Sequence, residues 1–110
     1  MKNYLVLFRE PDGRTQTHSE ADISRHRQNW KVWFEKWGAK GHLAGGGGLT
    51  LDGRLIKEGR ASDGIHRVGT EIVGGFLLLK AESLDEAVGI AETCPIYEFD
   101  GYAEVREMQG

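Results

Sequence analysis

Ile72-Val73-Gly74-Gly75-Phe76-Leu77-Leu78-Leu79 is the stretch on which the fold turns. It joins β-branched, aromatic and aliphatic side chains without one polar group, the composition of a strand. A strand with one wet face alternates apolar and polar residues. Here both alternating faces are apolar, so both need cover. Tyr4-Leu5-Val6-Leu7-Phe8 reads the same way, with Tyr4, Val6 and Phe8 on one side and Leu5 and Leu7 on the other. It ends at the turn signal Pro11-Asp12-Gly13.

Downstream of the central stretch, Ser83-Leu84-Asp85-Glu86 is a capping box. It opens a helix that turns Leu84, Ala87, Val88 and Ala91 inward. Pro95 disfavours continuation past Cys94. Residues 101–108, with Tyr102, Ala103 and Val105, form the last strand. Upstream, Ser19 caps a helix over about 20–38 with Glu20 and Asp22 in its first turn. Ile23, Trp30, Trp33, Phe34 and Trp37 trace its apolar stripe. His42-Leu43-Ala44 and the run Gly45 to Gly48 lead to Leu49 as a second strand. Asp52-Gly53 reads as a hairpin turn, with 54–58 as the return strand and Asp63-Gly64 as a further bend.

The order β-α-β-β-β-α-β predicts an α+β domain, ferredoxin-like βαββαβ with an added β-hairpin. Two helices cover only one face of such a sheet. A second copy of the chain is the simplest cover for the other, so a homodimer, a dimeric α+β barrel, is expected.

Composition narrows the functions. The 110 residues suit a single domain over 1–110. Lys and Arg number 14 against 17 Asp and Glu, a formal charge of -3, with the signs interspersed. A nucleic-acid binder usually shows a basic face, so no nucleic-acid partner is expected. Cys94 is the single cysteine, which excludes an intramolecular disulfide. The apolar start at Tyr4 to Phe8 is too short for a signal peptide or a span, so a cytoplasmic protein without membrane contact is expected.

Several of these pieces together resemble the YCII-related family in its DGPF-motif branch. They are Tyr4-Leu5-Val6-Leu7, Gly47-Gly48-Leu49, Asp63-Gly64 and, most specifically, Gly74-Gly75-Phe76 through Ser83-Leu84-Asp85-Glu86-Ala87 to Cys94-Pro95, with Glu104-Val105-Arg106. The resemblance implies a ferredoxin-like α+β barrel dimer. The family's histidine and aspartate imply an enzyme, and a few relatives release chloride from chlorinated hydroxyquinols. Two departures from the family pattern stand out. The Asp-Gly-Pro-Phe motif reads Asp63-Gly64-Ile65-His66 here, and the family's helix histidine falls near Trp30.

Three residues are candidates for proton transfer. Asp63 is a carboxylate at a strand end, able to act as a base or orient a histidine; the plain alternative is an Asp-Gly turn bonded to its own backbone. His66 follows three residues later as a partner for it, or as an exposed loop residue. His26 lies on the helix stripe one turn before Trp30, placed to line a pocket or to sit at the core edge. Trp30 and Trp33 are candidate walls for a planar ligand, or simply core. Gly47 and Gly48 would let a ligand approach the backbone. The glycine run lacks a following Lys-Ser/Thr, so it is no phosphate loop and no cofactor is expected. No histidine pair has helical ligand spacing, so no metal is expected. The expected function is acid–base chemistry on a small, cyclic or aromatic substrate. A non-catalytic ligand-binding or regulatory homodimer is the alternative.

Overall fold

The computed structural model describes residues 1–13 and 17–110. Its elements are β1 (Lys2–Pro11), α1 (Glu20–Ala39), β2 (Leu43–Gly48), β3 (Arg54–Lys57), β4 (Arg60–Asp63), β5 (Glu71–Ala81), α2 (Leu84–Ala91), a 3₁₀ turn (Pro95–Phe99) and β6 (Tyr102–Glu107). β2, β5, β1 and β6 form one antiparallel sheet in that order. With two helices over it, this is the expected ferredoxin-like α+β arrangement.

The core follows from strand alternation. Tyr4 faces Leu79 and Val6 faces Leu77 across the β1–β5 ladder, and all four are buried. Trp33 of α1 and Ala87, Ile90 and Ala91 of α2 pack on this face. Each large apolar side chain buried there contributes roughly 1.5–3 kcal/mol. The opposite face carries Leu5 opposite Leu78 and Leu7 opposite Phe76. These four stay half-buried in the single chain.

Both helices start where the sequence says. The Ser19 hydroxyl accepts the Asp22 N–H at 3.1 Å. At α2 the Ser83 hydroxyl accepts the Glu86 N–H at 3.1 Å while the Glu86 carboxylate accepts the Glu82 N–H at 3.0 Å. α2 ends at Ala91 rather than near Cys94. Cys94 instead precedes a separate 3₁₀ turn that has Pro95 at its start, where a missing N–H costs nothing.

The added hairpin corrects the strand assignment. Asp52-Gly53 is not its turn. β3 pairs with β4, Lys57 facing Arg60, and the turn is Glu58-Gly59. Both turn residues have positive φ, 50° and 79°, as a two-residue turn of the type that matches strand twist requires. Gly53 instead closes the hairpin base, its carbonyl accepting the Gly64 N–H at 3.1 Å. β3 and β4 form a sheet of their own, unattached to the four-stranded one.

Candidate functional site

A cleft of about 560 Å³ opens between α1 and the β2–β5 edge of the sheet. Its walls are largely apolar, from Phe8, Trp30, Phe34, Leu43 and Ile96. Its floor is backbone, because β2 is glycine from Gly45 to Gly48. A Cβ at Gly46 would meet the Phe76 carbonyl oxygen and come within 2.8 Å of the Leu77 Cα, and Gly46 itself has φ +139°. Only glycine satisfies both conditions.

Two titratable side chains face this cleft, Glu10 and His26. Glu10 is reached by continuing β1 past Phe8: Tyr4, Val6, Phe8 and Glu10 share one face. A bulge between Phe8 and Arg9 shifts the partner register, so Phe8 faces Gly75, Arg9 faces Val73, and Gly74 is left over. A Cβ at Gly74 would fall on the Glu10 carboxylate. Glycine at that position gives the carboxylate its room. Burial pushes the Glu10 carboxyl above its ordinary value, and the nearby His26 pulls the other way. That upward direction brings a carboxyl closer to exchanging protons near neutrality.

His26 is held on three sides. Its Nδ1 lies 2.9 Å from Glu98 Oε1, and its Nε2 accepts the Trp30 indole N–H at 3.0 Å. Its ring stacks on Phe99 with centroids 4.2 Å apart. Asn29 donates to the second Glu98 oxygen at 2.8 Å. His26, Asn29 and Trp30 share one helix face by their spacing, and the 3₁₀ turn presents Glu98 and Phe99 to it.

The other sequence candidates are dispersed. Trp30, Gly47 and Gly48 line the cleft with His26. Trp33 does not; it is buried, its indole donating to the Thr93 hydroxyl at 3.0 Å. Asp63 sits at the end of β4 with its side chain 96% exposed, bonded across the hairpin to Arg54 Nε at 3.2 Å. His66 lines a separate cleft of about 320 Å³ with Arg9, Asp52 and Glu71. The structure therefore does not join Asp63 or His66 to His26. Sequence reasoning missed Glu10, although strand alternation places it once β1 is extended by two residues. It also missed Glu98, which sits 72 positions from His26 and gives no local signal.

Among the described residues, no group of three or more His, Cys, Asp or Glu side chains could share a metal ion. No described helix is long and apolar enough to cross a membrane.

Residues 14–109 match the model of the YCII-related domain. Among solved structures, the chain is similar to 5-chloro-2-hydroxyhydroquinone dehydrochlorinase from Burkholderia phenoliruptrix AC1100, in complex with 2,5-dihydroxybenzoquinone. The identity is 18% and the TM-score 0.52, over 97% of this chain and 93% of that one. No curated protein matches the sequence at a significant level.

Proposed function

Since the chain belongs to the YCII-related family, we propose that its α1–β2 cleft is the site of a small enzyme carrying out acid–base chemistry on a small, flat cyclic substrate. The observation that carries this reading is the meeting of Glu10 and His26 in one apolar cleft. A partly buried carboxyl with a raised proton affinity, lining the same cleft as an imidazole, offers a ligand two groups able to exchange protons with it. The aromatic walls and the side-chain-free floor admit a planar ring against the backbone. The likeness to a dehydrochlorinase that binds a dihydroxybenzoquinone supports a ligand of that size and shape. Asp63 and His66 fit this reading less well, because neither lines the cleft.

The active form in this proposal is a homodimer. Leu5, Leu7, Phe76 and Leu78 make one contiguous apolar surface that the helices leave half-open. A two-fold copy would cover it.

A second reading has its own observation. The Trp30 indole already occupies His26 Nε2, which suits a site that binds a ligand without turning it over. 2,5-Dihydroxybenzoquinone in D₂O separates the two. Enzymatic acid–base chemistry accelerates loss of the ring C–H signal in proton NMR, and Glu10→Gln slows it. Shifts of the Gly47 and Gly48 amides without exchange support the ligand-binding reading. The absence of both exchange and shifts would count against the cleft itself.

A further inference from the structure

We propose that Glu98 is a positioning residue that sets which nitrogen of His26 faces the cleft's contents, and that the Trp30 indole N–H holds that nitrogen's place until a ligand donor replaces it. The inference rests on the reading of the cleft as an acid–base site for its chemical use; its test does not.

The assignment comes from counting protons. An indole nitrogen only donates. Trp30 Nε1 lies 3.0 Å from His26 Nε2, so Nε2 must offer a lone pair. The single proton of the neutral ring is then on Nδ1, where it points at Glu98 Oε1 at 2.9 Å. A carboxylate only accepts, so the two contacts agree on one tautomer. Glu98 is itself fixed, its other oxygen taking the Asn29 amide at 2.8 Å. The imidazole plane is fixed by Phe99, which His18 stacks from 3.8 Å. One turn of α1 and one 3₁₀ turn, far apart in sequence, thus converge on a single ring.

The arrangement has a consequence for binding. With Nδ1 committed to Glu98, Nε2 is the one acceptor His26 can give a ligand. The Trp30 indole already satisfies it, and Glu98 satisfies Nδ1, so neither imidazole nitrogen is unpaired. A ligand O–H or N–H that takes Nε2 must displace the indole. Trp30 then needs a new acceptor, and a ligand oxygen on the adjacent carbon would supply it. The geometry thus favours a ligand carrying neighbouring donor and acceptor groups over one with a lone acceptor.

The test is nitrogen-15 NMR of the imidazole on the intact protein, at a pH where the ring is neutral, with no ligand added. The wild type should show His26 with Nδ1 protonated and Nε2 bare. Glu98→Ala should turn the ring over, making Nε2–H the majority form and moving the Trp30 indole signal. Glu98→Gln, whose carbonyl can still accept, should keep the Nδ1–H form, and so should Trp30→Phe. An Nε2–H majority in the wild type would overturn the proposal without any variant having to fold. Retention of Nδ1–H in Glu98→Ala, or its loss in Trp30→Phe alone, would also overturn it. None of these outcomes depends on turnover, so they stand apart from the fate of the enzyme reading.

Discussion

Alanine at Gly46 and alanine at Gly47 should have opposite effects on stability, although the residues are neighbours in one strand. At Gly46 two costs add. Its φ of +139° lies where L side chains rarely go, and holding one there costs about 1–3 kcal/mol. The new Cβ would also press on the backbone of Phe76 and Leu77. Backbone yields less readily than a flexible side chain, and overpacking of this kind costs about 1–3 kcal/mol. The sum is roughly 2–6 kcal/mol, which for a domain of this size lowers Tm by on the order of 10 °C or more. At Gly47 an added Cβ meets nothing within 4 Å and the backbone is not left-handed. Alanine there should be neutral or stabilise by about 0.4–1 kcal/mol, through a less disordered unfolded chain. The assay is urea unfolding at constant slope, read from tryptophan fluorescence. The reasoning fails if Gly46→Ala unfolds within about 1 kcal/mol of the wild type, the lower edge of either term. It fails equally if Gly47→Ala is as damaging.

Glu10 supplies a prediction with a sign in pH. Its folded proton affinity is raised by burial, so the native state takes up its proton more readily than the unfolded chain. The contribution to stability is fully present below the unfolded value, about pH 4.3, and is lost as pH rises through the folded one. Glu10→Gln removes that loss, so the variant should gain on the wild type as pH increases, in unfolding measured at several pH values. A difference that stays flat would mean the carboxyl is not buried as described. Cys94 is 3% exposed and its thiol is pushed up by burial. It should resist iodoacetamide in the folded protein and react only on unfolding, so that labelling measured by mass spectrometry tracks denaturation; rapid labelling of native protein would contradict the packing.

The main sheet was legible because apolar runs on β1 and β5 leave few other places for them. The capping serines at 19 and 83 made the helix starts equally plain. The hairpin was misread for a chemical reason. Asp-Gly is the stronger sequence signal for a tight turn, yet Glu58 takes the left-handed conformation ahead of Gly59, a position where a long side chain is uncommon. The site was only half legible. His26, Trp30 and the glycines could be placed together from helix periodicity and strand order. Trp33 lies on the same stripe, one turn on, and the structure turns it into the core. Glu10 hides behind a charged neighbour, Arg9, that looks like the end of the strand. That arginine belongs to the other face, where it donates to Glu104 at 3.0 Å. Glu98 depends on the 3₁₀ turn, and nothing near it in sequence says which helix that turn will touch.

The β3–β4 hairpin has a consequence of its own. Among the described residues its strands pair only with each other, and of its eight strand residues only Leu55 is as much as half-buried. It can therefore fray and re-form without breaking a rung of the main ladder. Changes in its length or charge should leave the domain's overall folding free energy almost untouched. The arm thus separates what the chain must keep in order to fold from what it can alter at little cost to folding.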